Sequence, residues 1–252
     1  MPFFDSDGVR IHYEDAGSGE VVVLVHGFAS NARYNWGITG WIKFLSERYR
    51  VIALDCRGHG QSDKPHDPAA YTLDRMGGDV IRLLDHLGVR RALLMGYSMG
   101  ARIAMWLMLR HPERFRAVVL GGVGAGGRMG EAERRRKIVE ALLAPDASAI
   151  ADEVARLFRQ FAEANRNDLA ALAACMGAER GEGASAAELA SVRMPVMIVI
   201  GTRDTLVGNA EPLHKMIPGS ELLKLEGRDH LNAPGDRLYK EAVGKFFAGA
   251  PA

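Results

Sequence analysis

The chain has 252 residues, 48% hydrophobic and 25% charged, with a formal net charge of +1. That composition suits a single α/β domain over residues 1–252 with an ample core. It lacks the basic surplus that nucleic acid or an anionic membrane would attract, and it lacks an apolar run near the roughly 20 residues of a membrane helix.

Two cysteines, Cys56 and Cys175, are too few for a disulfide framework at this length. Met1 to Asp7 has neither a basic n-region nor a long apolar stretch, so no signal peptide is expected. The expectation is a cytoplasmic protein whose partner is a small molecule, not nucleic acid or membrane. Nothing in the sequence specifies an oligomeric state.

In chain order, Val9 to Tyr13 alternates after the turn signal Asp7-Gly8 and predicts a hairpin. Five nearly continuous apolar runs follow: Val21 to Val25, Val51 to Leu54, Ala92 to Met95, Val118 to Leu120 and Val196 to Ile200. Strands buried on both faces of a parallel sheet have this pattern. A sixth run, Leu222 to Leu225, is more polar and suits a sheet edge.

Helices are predicted over Trp41 to Tyr49, over Leu73 to Leu87 with Thr72 as N-cap, and over Met99 to Arg110. The last is apolar nearly all round and must be buried, ending near His111 because Pro112 follows. Alternating strands and helices predict an α/β doubly wound fold. From Gly121 to Val192 the rhythm breaks into a glycine cluster and Ala- and Glu-rich segments, read as three or four short helices over the sheet. The run Arg134-Arg135-Arg136, beside Glu131, Glu133 and Glu140, reads as a solvated helix face.

Gly96-Tyr97-Ser98-Met99-Gly100 fits G-x-S-x-G. The pentapeptide alone is weak, but an apolar strand runs into it and a buried helix leaves it. A sharp turn between them lifts the Ser98 hydroxyl clear of the backbone, at a helix N-terminus whose N–H groups lack partners. Serine needs a base. Of eight histidines, His12, His66, His86, His111 and His214 fall in strands, helices or a Pro-Asp-rich loop. His26 and His59 precede glycines and suit structural hydrogen bonding. His230 follows the run Leu222 to Leu225 and the loop Glu226 to Asp229, at a strand's carboxyl end, where sites form in parallel sheets.

Candidate acids to orient His230 are Asp204, Asp55 and Asp229. Asp204 follows the strand Val196 to Ile200. Asp229 adjoins His230, and adjacent side chains point apart. Two N–H groups are needed for a developing oxyanion, those of Met99 and Phe28. Phe28, Trp36, Tyr97, Met99, Arg102 and Val207 are candidate pocket residues. No His-Glu-x-x-His pattern or cysteine pair suggests a metal.

Six pieces of the chain resemble the α/β-hydrolase family: Val25 to Phe28, Asp55 to Asp63, Gly96 to Gly100, His111 to Arg114, Gly201 to Asp204 and Gly227 to His230. The resemblance covers almost the whole chain. It implies a mostly parallel eight-stranded sheet flanked by helices, a helical cap at 124–193 after the sixth strand, and no cofactor. Its residue order of serine, acid, histidine favours Asp204 over Asp55. Many relatives carry a second glycine where this chain has Ala101.

Serine at the elbow argues against epoxide hydrolases and haloalkane dehalogenases, which use aspartate. The expected activity is a carboxylesterase with Ser98, His230 and Asp204 as its triad. Thioesterase, lactonase, perhydrolase and C–C bond hydrolase chemistry remain open. So do a menaquinone-pathway-type synthase, in which Arg102 would bind an acidic substrate, and a non-enzymatic receptor that keeps the triad.

Overall fold

The computed structural model describes residues 2–124, 131–179, 181 and 183–251. Its sheet has eight strands in the order β1-β2-β4-β3-β5-β6-β7-β8. β1 (Phe3–Ser6) and β2 (Val9–Ala16) form the predicted hairpin. Its two-residue loop needs left-handed dihedrals, and Asp7 and Gly8 take φ of 52° and 77°. β2 also pairs antiparallel with β4 (Arg50–Leu54), and all later pairings are parallel.

β3 (Val21–Val25), β5 (Ala92–Tyr97) and β7 (Val196–Gly201) are buried along their whole length, and β6 (Phe115–Gly121) is buried except at Arg116. β8 (Glu221–Leu225) lies at the sheet edge with exposed Glu221 and Lys224, as its polarity predicts.

Each covered strand feeds two cores. On β3, Val21, Val23 and Val25 face α2 (Leu73–His86) and α3 (Met99–Arg110), meeting Val80, Leu83, Ile103 and Leu107. Val22 and Leu24 face the other way, to Trp36, Trp41, Tyr239 and Phe247 of the segments around α1 (Trp41–Ser46) and α9 (Arg237–Ala248). This period-2 division of a continuous apolar run is what a sheet covered on both faces requires.

Thr72 caps α2 by accepting from the Arg75 amide, and α3 stops at His111 before Pro112. α1 is shorter than predicted. The chain turns after Ser46 because β4 must begin at Arg50, whose amide bonds the Glu20 carbonyl at 2.8 Å.

Between β6 and β7 run α4 (Glu131–Leu143), α5 (Glu153–Ala164), α6 (Leu169–Gly177) and α7 (Ala186–Ala190), four helices among the described residues. The first three share a core of their own. Ile138, Leu142, Ala162, Leu172 and Met176 close around Ala29 beyond β3, with Phe28, Phe158 and Phe161 at its margin. The later part of the glycine cluster, Ala125 to Gly127, lies outside the described residues.

The arginine triplet is not one solvated face. Arg136 pairs with Glu133 and Glu140 in solvent. Arg134 donates to the Leu206 carbonyl, and Arg135 to those of Met176 and Ala178. Guanidinium donors are collecting carbonyls left over at loop and helix ends.

Candidate active site

β5 passes directly into α3 through Ser98, and the turn is sharp enough to put Ser98 at φ 54°, ψ −109°. A non-glycine residue in this region stores strain and persists only where its surroundings hold it. The glycines on either side permit the approach. A Cβ on Gly96 would lie 2.1 Å from the Gly100 carbonyl oxygen, and one on Gly100 would lie 2.0 Å from that of Val25. The Ser98 amide bonds the Gly121 carbonyl at 2.8 Å.

Three loops at the carboxyl ends of strands converge here. His230, after β8, places Nε2 2.9 Å from Ser98 Oγ. Its Nδ1 is 2.6 Å from Asp204 Oδ2, after β7. The Asp204 side chain is fully buried and that of His230 is 12% exposed. The second Asp204 oxygen accepts from the Leu206 amide at 3.0 Å, so both oxygens are held. With Nδ1–H donated to the carboxylate, Nε2 keeps the lone pair that accepts the Ser98 hydroxyl proton.

The Tyr97 hydroxyl donates to the His230 carbonyl at 2.7 Å, and the two rings lie 5.3 Å apart. Burial first, and then the Asp204 charge, push this phenol well above its ordinary value, so it remains a donor.

The third loop carries Gly27 and Phe28. A Cβ on Gly27 would lie 3.5 Å from the Ser98 Cβ, so the turn runs against the serine. The Asn35 amide oxygen accepts from the Gly27 N–H at 2.9 Å and fixes the turn, leaving Phe28 N–H as the next donor. Met99 N–H is the first of α3, with no intrahelical acceptor. Asn35 was missed at the level of sequence, where no motif marks it.

The other candidate acids are engaged elsewhere. Asp55 is buried beneath the Gly60 turn and accepts from His12 and from the Ala32 and Gln61 amides. Asp229 accepts from the Leu231 and Asn232 amides and shapes the loop that presents His230. His26 donates Nδ1–H to the Gly27 carbonyl and accepts the Cys56 N–H at Nε2. Burial lowers its pKa and takes that of His59 down to about 3, so both stay neutral structural groups.

A cavity of about 490 Å³ opens over Ser98. Its lining includes Phe28, Tyr34, Asn35, Tyr97 and His230, together with Val154, Leu157, Phe158, Phe161, Asn165, Arg203 and Leu231. The contributions of α5 and Arg203 were not foreseen. The spacing 154, 157, 158, 161 marks one face of a helix, but nothing in sequence says which core that face meets.

Four expected wall residues do not line the cavity. Trp36 is fully buried, edge-on to Trp41 at 6.2 Å, because its segment turns Tyr34 and Asn35 to the cavity instead. Arg102 is drawn sideways into an ion pair with Glu131 at 2.6 Å. Val207 packs against the core under α2 and α3, as does the Met99 side chain, whose sulfur lies 3.9 Å from that of Cys175.

A second cleft of about 460 Å³, lined by Arg91, Pro112, Arg116 and Pro195, lies where β5, β6 and β7 begin, at the end of the sheet opposite Ser98. Among the described residues, no three His, Cys, Asp or Glu side chains are grouped to hold a metal, and no helix is long and apolar enough to cross a membrane.

The comparisons with known proteins agree with this architecture. The 3-oxoadipate enol-lactonase 2 of Acinetobacter baylyi is 30% identical over 93% of this chain and 92% of its own. A crystal structure of a hydrolase from Pseudomonas aeruginosa PA01, 29% identical, superposes with a TM-score of 0.82 over 99% of this chain and 98% of that one. Epoxide hydrolase 3 of Siraitia grosvenorii is 38% identical, but over only 46% of this chain and 36% of its own length. The family model for the alpha/beta hydrolase fold matches residues 20–179, and the chain belongs to that family.

Proposed function

We propose that the protein is a serine hydrolase of carboxylic esters that works through an acyl-enzyme on Ser98. The observation that carries this reading is the relay from Ser98 Oγ through His230 to Asp204, at 2.9 and 2.6 Å; the Phe28 and Met99 N–H groups are assigned as the oxyanion donors.

In the first half-reaction, Ser98 Oγ bonds to the substrate carbonyl carbon while His230 Nε2 takes the hydroxyl proton. The carbonyl oxygen becomes an oxyanion held by the two N–H groups. Collapse breaks the bond to the leaving oxygen, which receives the proton from His230. Water then repeats the sequence, with His230 as base, and releases the acid and Ser98. Asp204 holds the imidazole tautomer and stabilises its cation. Each oxyanion donor contributes about a hundred- to a thousandfold in rate.

The helices between β6 and β7 act as a cap, supplying the cavity wall opposite Ser98. A lactone is an internal ester, and the enol-lactonase relative keeps that substrate class within the same chemistry. The alternative is the synthase reading, supported by a putative 2-succinyl-6-hydroxy-2,4-cyclohexadiene-1-carboxylate synthase of Bacillus subtilis that is 28% identical over 96% of this chain. Arg102 speaks against it, because its guanidinium is paired with Glu131 and does not line the cavity.

The test is turnover of p-nitrophenyl acetate with fluorophosphonate labelling. Labelling should map to Ser98. Absence of both hydrolysis and an adduct, with folded protein, overturns the reading.

A further inference from the structure

The cavity has two chemically different walls, and the chemistry at Ser98 orients a substrate between them. The leaving oxygen must come within hydrogen-bond reach of His230 Nε2, because it receives its proton there. The segments that carry His230 and Asp204 also supply Asp229, Leu231, Arg203 and Thr205 to the lining. That wall therefore faces the leaving group. The lining's full charges, Arg203 and Asp229, both belong to it.

The opposite wall starts at Phe28, beside the oxyanion donors. The Phe28 ring meets that of Phe158 on α5 at 6.0 Å. From there Val154, Leu157, Phe158 and Phe161 form a stripe at i, i+3, i+4 and i+7, spanning about 10 Å along the helix axis. None carries a charge or a hydrogen-bonding group. The buried cation of the same helix, Arg159, is turned away to the Ala141 and Ala144 carbonyls and to Glu163. Leu157 is 57% exposed although it belongs to this apolar stripe. An apolar group laid along α5 would take it out of water.

We propose that the substrate's acyl group is an uncharged aliphatic chain lying along α5, with the leaving group departing past Arg203, Thr205 and Leu231. This rests on the reading of Ser98 as the nucleophile. A carboxylate at the far end of the acyl group would lose hydration against the stripe, whose four side chains offer it no donor.

The test is a series of p-nitrophenyl esters with one leaving group: acetate, butyrate, hexanoate and the charged hemiglutarate. The specificity constant should rise about two- to fourfold per methylene through hexanoate, since about 0.8 kcal/mol for a fully buried methylene converts to about fourfold. Hemiglutarate should fall at least about tenfold below hexanoate.

Leu157→Lys, at an exposed position the fold tolerates, should lower the ratio of hexanoate to hemiglutarate by about tenfold or more. Leu157→Ala should flatten the methylene slope. A flat series, with hemiglutarate as good as hexanoate, overturns the acyl assignment and leaves the ester reading standing. Absence of turnover on every ester, with no fluorophosphonate adduct, overturns the ester reading itself.

Discussion

The Tyr97 hydroxyl donates to the backbone carbonyl of His230 at 2.7 Å, so the residue before the nucleophile holds the loop that carries its base. Tyr97 is buried, and its ring also packs against Gly122, which takes φ 61°. Tyr97→Phe keeps the ring and removes the donor. A net hydrogen bond of about 0.5–1.5 kcal/mol predicts a two- to tenfold lower kcat. KM should change little, because Tyr97 acts through His230 rather than by gripping substrate. Steady-state kinetics separate the two, and an effect confined to KM refutes the positioning role.

Ser98→Ala should lower ester turnover by roughly a thousandfold or more, leaving only the oxyanion and binding contributions. The variant should also resist fluorophosphonate, which intact-mass measurement reads directly. Near-normal turnover in a folded Ser98→Ala protein would remove Ser98 from the chemistry.

The acids separate by partner. Asp204→Asn should lose orders of magnitude in kcat, because an amide does not stabilise the His230 cation and invites the wrong tautomer. Asp229→Asn keeps an oxygen that can accept from the Leu231 and Asn232 amides and should retain most activity. Side-by-side kcat values decide the assignment, which fails if their order is reversed.

Asp55 predicts a pH dependence of stability. Burial alone would raise its carboxyl, but the His12 hydrogen bond and the Gln61 and Ala32 amides work against it, and the group is held below the ordinary value of 3.8. A depressed folded-state pKa gives stability that is full above 3.8 and is lost as pH falls through the lower folded value. Asp55→Asn should therefore lower the melting temperature at neutral pH and make the acid limb shallower. Thermal melts between pH 7 and 3 measure both, and parallel limbs in wild type and variant count against this role.

Arg102→Met removes one member of a partly exposed ion pair with Glu131. Such pairs contribute about 1 kcal/mol or less. The specificity constant for a short neutral ester should stay within about tenfold of wild type. A large loss confined to carboxylate-bearing substrates would return Arg102 to the binding site and revive the synthase reading.

The sequence by itself determined the sheet, the elbow and the rank of the candidate residues. Continuous apolar runs such as Val21 to Val25 tolerate burial only between two layers, and a strand running through Gly96-Tyr97-Ser98-Met99-Gly100 into an apolar helix leaves few geometries. Asp204 and His230 each follow a strand, where loops carry sites, and the serine, acid, histidine order of the family the chain resembles set Asp204 above Asp55. What the sequence did not contain was direction. Trp36 and Tyr34 are two residues apart, yet one is buried in the core and the other lines the cavity, because positions two apart lie on opposite sides of the π-helical segment Arg33–Ile38. Arg102 sits one turn past Ser98 and could have faced the cavity, but Glu131, 29 residues away in sequence, captures it. The stripe on α5 is legible as an apolar face, but only the packing of Phe158 on Phe28 turns it toward Ser98. Periodicity is a local property of the chain, whereas the partner of a face depends on contacts between distant segments, and these exist only once the fold has formed.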